Sequence, residues 1–584
     1  MAVTDADKPW GRRLVICCDG TWQTSATEKE NVPSNVTKLC RLIKRHSDKK
    51  TDSDRKWHQL VYYDSGIGTG NLSGVESARQ GASGAGLMEN VIEAYNFLVL
   101  NYQEGDEIFT FGFSRGAFTA RAVAGLVADI GIIKPLEMQF FPRIYRAYMK
   151  YGSKEETDEK TKENVGTQAK RDAGAGLGYG FRESKAWQKL IESGTFLNNK
   201  PPSEASRGVK VVGVWDTVGS LGVPDVAGNN LGHLRKQFGF HNVKLSKHVA
   251  HAYHALALDE RRPSFRPTLW YIDPQFNRKS ELKQVWFPGV HINCGGGSDD
   301  GFLEMEGDME KSLLTLLKDI SVATFTWMLQ CIAPHLDIDQ DGFKAYLTQY
   351  ENWIKFIREE CTYHHKWHES TFRKIYNKMP NMPYFGEEPD PLADPVREDP
   401  HTHDFAFGWG IGPIKDSYTE MYRKGNGPAR PRQPGHEEME IEGQWQPIKG
   451  GLKGKTEFPL TGYKTHEYIH PLVHYRKTAL KKWDLFDWGQ KHPLDDWERK
   501  SRTETDGYKR FWWYKPGGGD KDRLPEWIIR TGTEEEDNYE RTWYTAANKL
   551  NPEVSKEKIP DPLFLQNVDK QVKFNSEKIN DYEL

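Results

Sequence analysis

Apolar runs in this chain are short, rich in Val, Ile, Phe and Cys, and separated by stretches with helical periodicity. Arg13-Leu14-Val15-Ile16-Cys17-Cys18 predicts a first strand, ending in Asp19-Gly20-Thr21-Trp22. A helix is expected from Asn35 to Arg45, with Ser34 as its N-cap and Val36, Leu39, Leu42 and Ile43 as its apolar stripe. Gln59 to Tyr63 reads as a second strand and Met88 to Tyr102 as an amphipathic helix with Val91, Ile92, Tyr95, Leu98 and Val99 on one face. Ile108 to Phe111, Val209 to Trp215 and Gln284 to Phe287 are further strands. Strands that are apolar on both faces and alternate with helices predict an α/β fold, with a doubly wound, mostly parallel sheet covered on both sides.

Beyond about residue 335 this alternation fades. The pattern divides the chain into an α/β domain over 12–335, a helical and loop-rich extension over 336–480, and a charged, Trp-rich, α-rich appendage over 481–584. Within the first part, 150–183 is charged, Gly-rich and poor in hydrophobes, which reads as a surface insertion. His248, His251 and His254 recur at three-residue steps on an expected helix, and His364, His365 and His368 form a second group. Such a step drifts around a helix, and no HExxH is present, so ordinary histidines are favoured over a metal site and no cofactor is expected.

Composition narrows the class. With 80 Lys+Arg against 83 Asp+Glu the formal charge is −3, which disfavours a partner bound through phosphate contacts to nucleic acid. Mean hydropathy is −0.74, while aromatics reach 12%, the pattern of an ordered protein with much surface. No run of 18 apolar residues occurs, and Met1 to Lys8 has neither a basic nor an apolar signal region. The six cysteines carry no metal-type spacing. The expectation is a reducing, cytoplasmic setting.

The line Ile108-Phe109-Thr110-Phe111-Gly112-Phe113-Ser114-Arg115-Gly116 carries the sharpest chemistry. A strand enters Gly-x-Ser-x-Gly and an Ala-rich helix leaves it, the context in which a serine becomes a nucleophile. Side chains at Gly112 and Gly116 would collide with neighbouring strand and helix, and the helix N-terminus points its N–H groups at the place where an oxyanion would develop. A nucleophilic serine needs a base, and the base needs an orienting acid. Asp216 directly follows the Val209 to Trp215 strand, and His291 lies just beyond Gln284 to Phe287, in the chain order Ser, acid, His. Asp216 could instead cap a helix and His291 be a loop histidine, with Asp299, Asp300 and Asp319 as reserve acids. Arg115 N–H is the expected first oxyanion donor, with the loop Asp19-Gly20-Thr21 as the candidate source of the second. The loop Gly66-Ile67-Gly68-Thr69-Gly70 lacks the GK[ST] ending and the Rossmann spacing, which argues against nucleotide binding.

Taken in order, Cys18-Asp19-Gly20-Thr21-Trp22, Asn35-Val36, Tyr63-Asp64-Ser65-Gly66-Ile67-Gly68, the Gly112 to Arg121 elbow, Val214-Trp215-Asp216-Thr217-Val218, His254 to Arg262 and Trp286-Phe287-Pro288-Gly289-Val290-His291 are similar to a known series. Over roughly residues 12 to 330 the chain resembles the α/β-hydrolase family of the class-one type VI secretion lipase effectors, which fungal, cytosolic-type proteins also resemble. The resemblance implies a Ser114, Asp216, His291 triad, and the bacterial effectors are phospholipases. One departure stands at Asn293, where the family pattern carries an acid before the glycines.

The function expected is a serine ester hydrolase, phospholipase-like or carboxylesterase-like, acting on a small-molecule or lipid ester, with peripheral membrane contact for a lipid. Phe325 to Leu329 and the Trp-rich tail could supply interfacial aromatics, although buried core is the favoured reading for them. The alternatives are a catalytically silent scaffold on the same fold, or a peptidase or acyltransferase using the same three residues.

Overall fold

A computed structural model describes residues 10–20, 33–47, 56–66, 85–152, 180–218, 245–262, 265–270, 272, 279–297, 318–352, 414, 417, 431–435, 438–441, 444–447, 465–479, 492–503, 509–515, 523–529 and 538–550. Most of the segment 150–183, the glycines at 68 and 70, Thr21, the acids Asp299 and Asp300, the Asp319 side chain, and His364, His365 and His368 lie outside the described residues.

The β-branched and aromatic runs form strands β1 (Gly11–Cys18), β3 (Trp57–Asp64), β4 (Glu107–Phe113), β5 (Val209–Trp215), β6 (Val249–Ala257) and β7 (Glu281–Phe287). With the short β2 (His46–Ser47) and β10 (Glu467–Ile469) they make an eight-stranded sheet ordered β10-β7-β6-β5-β4-β1-β3-β2. Every pairing in it is parallel except that of β2 with β3. Register sets β4 and β5 level at their ends, because Gly112 lies beside Val214 and Phe113 beside Trp215. The residues that follow, Ser114 and Asp216, therefore leave the sheet at the same height.

Side-chain alternation sends Leu14, Ile16, Ile108, Val212 and Val214 to one face, beneath the helices Ala85–Asn101 and Ser114–Ile130. Val15, Cys17, Phe109, Phe111, Val211 and Trp215 go to the other, beneath the helix Lys318–Ile332. Trp327, Met328 and Leu329 are fully buried there, so this stretch is core. Ser34 caps the helix Asn35–Leu42 by accepting from Thr37 N, as its sequence predicts. Among the described residues no single helix is long and apolar enough to cross a membrane.

Two expectations are corrected. The segment carrying His251 and His254 is strand β6, with His248 just before it, not a helix. It is hydrogen-bonded between β5 and β7, and this two-sided pairing overrides the helical preference of its alanines. In the C-terminal part, the described residues hold a three-stranded antiparallel sheet, β11 (Glu498–Thr503), β12 (Lys509–Tyr514) and β13 (Arg523–Pro525), besides the helix Tyr539–Leu550. The run Phe511-Trp512-Trp513-Tyr514 is β-forming, which the surrounding charge disguised. A hairpin, β8 (Glu438–Ile441) and β9 (Gln444–Pro447), precedes it. Trp512, Trp527, Tyr539 and Trp543 pack into the same core as the helix Lys318–Ile332, with Trp527 6.0 Å from Trp327 between ring centroids.

Candidate active site

The turn from β4 into the helix Ser114–Ile130 has almost no room. A Cβ at Gly112 would stand 2.3 Å from the Gly116 carbonyl oxygen, and one at Gly116 would stand 2.2 Å from that of Cys18. Only glycine at both positions lets the helix start this close to the ends of β1 and β4. Ser114 takes the sharp corner with φ +58°, in the left-handed region, and its hydroxyl is held at the N-terminus of a 17-residue helix.

Asp216 and His291 come to it as their strand-end positions predict. Ser114 Oγ lies 2.7 Å from His291 Nε2, and His291 Nδ1 lies 2.6 Å from Asp216 Oδ2. All three are buried: Ser114 is 7% exposed, His291 6% and Asp216 0%. The imidazole lies between Phe113, 4.8 Å away, and Phe265, 4.9 Å away and edge-on. Burial lowers the His291 pKa from the ordinary imidazole value against the opposing pull of Asp216, so the ring is neutral at neutral pH. With Nδ1–H donated to Asp216, Nε2 is left to accept the serine proton.

Burial alone would raise the Asp216 pKa, but Arg432 and His291 outweigh it and hold the carboxyl far below the usual range. Asp216 also accepts from Ala257 N at 3.0 Å, and its backbone has φ +41°, a second left-handed residue in the set. Arg432 donates to both carboxylate oxygens, Nη1 to Oδ1 at 2.5 Å and Nη2 to Oδ2 at 2.9 Å. His254 is no metal ligand here. Its Nε2 accepts from Thr217 N at 3.1 Å and its Nδ1 meets Gln284 Oε1, while burial brings its pKa down to about 3. Among the described residues no group of three or more His, Cys, Asp or Glu could hold a metal ion.

At Asn293 the side chain turns back to accept from Val290 N at 2.9 Å, capping the short helix His291–Gly295. The carboxylate beside the histidine comes instead from Glu260, which accepts from His291 N at 3.2 Å and pairs with Arg262. Asn35 fixes the same short helix from behind, donating to the Cys294 carbonyl at 3.1 Å and the Ser321 carbonyl at 3.0 Å.

In the candidate oxyanion loop the described residues are Asp19 and Gly20. Asp19 is buried, and its carboxylate accepts from Ser34 and Thr37 hydroxyls, from Tyr63 OH and from Gly20 N. Asp19 thus anchors the loop, and the Gly20 N–H is donated to Asp19 Oδ1 at 2.8 Å. Arg115 is half-buried directly after the serine. Sequence reasoning missed Glu260 as a support of His291 and missed Arg432 entirely. Glu260 sits in a motif it had already set apart, whereas Arg432 has no local signal at all.

The catalytic-domain model of the Tle1-like phospholipase effectors of the type VI secretion system matches residues 12–331. An uncharacterized protein of Saccharomyces cerevisiae, YEL023C, is 25% identical over 268 residues, which cover 44% of this chain and 32% of that one. The matched stretch therefore spans about a third of that relative. Among solved structures, the Tle1 effector bound to the VgrG spike of the type 6 secretion system is 17% identical over 50% of this chain and 52% of that one, with a TM-score of 0.26. An uncharacterized protein from Pseudomonas aeruginosa is 14% identical over 57% of this chain and 47% of that one, with a TM-score of 0.27.

Proposed function

This chain belongs to the family of the Tle1-like phospholipase effector catalytic domains, and from that premise we propose that it is a serine ester hydrolase working through Ser114, His291 and Asp216. The observation that carries the reading is the unbroken chain from Ser114 Oγ to His291 to Asp216, at 2.7 and 2.6 Å. His291 Nε2 takes the serine proton as Oγ attacks the acyl carbonyl, and Asp216 stabilises the imidazolium that forms. The proton is then given to the leaving alcohol as the acyl–oxygen bond breaks. Water, activated by the same histidine, attacks the acyl-enzyme ester, releasing the acid and restoring Ser114. The Arg115 N–H at the helix start is the proposed first oxyanion donor, with the loop Asp19-Gly20-Thr21 as the proposed source of the second.

The family supports a phospholipid or other lipid ester as substrate, and peripheral contact with a lipid surface belongs to the same proposal, as does a cytoplasmic setting. The test is fluorophosphonate labelling of the purified chain beside Ser114→Ala, with short-chain and phospholipid esters in parallel. Labelling and turnover that vanish in Ser114→Ala are expected, with turnover down by about 10⁴-fold or more. A well-folded wild type that is neither labelled nor active would sink the proposal and leave the scaffold reading.

A further inference from the structure

The triad's acid is completed from outside the family domain. Arg432 lies 101 residues beyond residue 331, where the family match ends. Its guanidinium is buried and makes four contacts, two to the Asp216 oxygens, one to the Ala257 carbonyl at 2.5 Å and one to the Phe265 carbonyl at 2.7 Å. Each does geometric work. The fork fixes the plane of the carboxylate, Ala257 ends the strand β6 that lies beside β5, and Phe265 is the ring set edge-on to His291. One cation therefore ties together the acid, the sheet end beneath it and a wall of the histidine's slot.

The neighbouring acids are met in the same way. Ser417 Oγ donates to Glu260, the carboxylate that accepts from His291 N, at 2.8 and 2.9 Å. His492 Nε2 lies 2.8 Å from Asp259 Oδ1, while Asp259 Oδ2 accepts from Gly289 N in the turn leading to His291. Three separate points of the later chain thus reach three acids around one histidine.

We propose that Arg432 is a positioning residue for the reaction: it holds the Asp216 carboxylate in the plane and charge state that orient His291, so that the chain beyond the family domain is part of the active site. This rests on the serine hydrolase reading. The guanidinium touches no reacting atom and acts only through Asp216. Two unit charges at this separation interact strongly in a buried setting, and removing one leaves the other uncompensated. Losing Arg432 leaves the Asp216 charge facing His291 alone, so the imidazole becomes easier to protonate. Among the described residues, the other titratable groups facing this pair are His254, Glu260, Arg262 and Cys294.

The test uses the full chain as wild type, Arg432→Met, Arg432→Lys and Ser114→Ala. Fluorophosphonate labelling rates are measured across pH, and the His291 pKa is read by NMR of ring-labelled histidine, with near-UV circular dichroism as the control for folding. Folded Arg432→Met is expected to label about 10²-fold more slowly at neutral pH, with its acidic limb and its His291 pKa moved to higher pH. Arg432→Lys keeps the charge but not the fork, so it should recover the position of the limb before it recovers the rate. If Arg432→Met does not fold, Arg432→Lys alone decides, because a slower rate with an unmoved limb is its expected signature. Wild-type rates with an unshifted His291 pKa in either folded variant overturn the proposal. A folded wild type that resists labelling overturns the hydrolase reading instead, and the His291 pKa comparison then decides the Arg432 clamp by itself.

Discussion

Ser114 and Asp216 share an unusual property. Both hold left-handed backbone, at φ +58° and +41°, a conformation that costs of order 1–3 kcal/mol for a residue with a side chain. Each is the residue just past the end of a buried parallel strand, where the chain must leave the sheet at once. Strain there is held by what surrounds it: the glycine-tight elbow for Ser114, and Ala257 N with the Arg432 fork for Asp216. His291 has its pKa lowered, chiefly by burial, and a lowered value means the ring stays neutral as pH falls to the ordinary imidazole value of about 6.5. Esterase activity should hold level from pH 8 down to about 6.5 and decline only below it. A rate profile that already falls between pH 8 and 7 would contradict this assignment. The meeting of Ser114, Asp216 and His291, the proposed triad, was legible in the sequence because each follows an apolar run, and such ends are where parallel sheets expose chemistry. Arg432 was not legible. It lies among Pro, Gly and Arg residues, 216 positions from its partner, and no periodicity links the two.

At the scale of elements, closeness of approach decides the site. Gly116 lets the helix Ser114–Ile130 rest on the carbonyls of Cys18 and Asp19 at the end of β1. Gly116→Ala puts a Cβ 2.2 and 2.3 Å from those oxygens, both of them backbone atoms that cannot rotate away. The variant should lose at least about 1–3 kcal/mol of stability and most of its activity together. A melting temperature equal to that of the wild type would show that the elbow relaxes more easily than this packing implies. Strands bounded by strong turn residues, such as β1, β4 and β5, could be read from apolar runs alone. Strand β6 could not, because its Ala and His residues say little until β5 and β7 flank it. Nor could β10, whose three residues join the sheet edge beside β7 and give no periodic signal.

For the molecule as a whole, the stretch after residue 335 shares the core of the α/β sheet. Trp527, Tyr539 and Trp543 cover the helix Lys318–Ile332, Phe343 packs edge-on to Tyr539 at 4.7 Å, and Trp286 Nε1 donates to Glu467. A chain ended after residue 335 would leave that aromatic face and the edge of β7 uncovered. It should bind a hydrophobic dye strongly and lack a cooperative melt, as followed by dye fluorescence and calorimetry. A soluble, cooperatively melting fragment would show that the sheet needs none of this cover. The position of Arg432 also sets an order in time. During synthesis Ser114, Asp216 and His291 have all been made about 140 residues before the guanidinium that both Asp216 oxygens bind. At 5–20 residues per second that interval is about 7–28 s. A nascent chain on the ribosome therefore carries Ser114 and His291 for many seconds with Asp216 still unclamped, and the arrangement described above is complete only once Arg432 has been added.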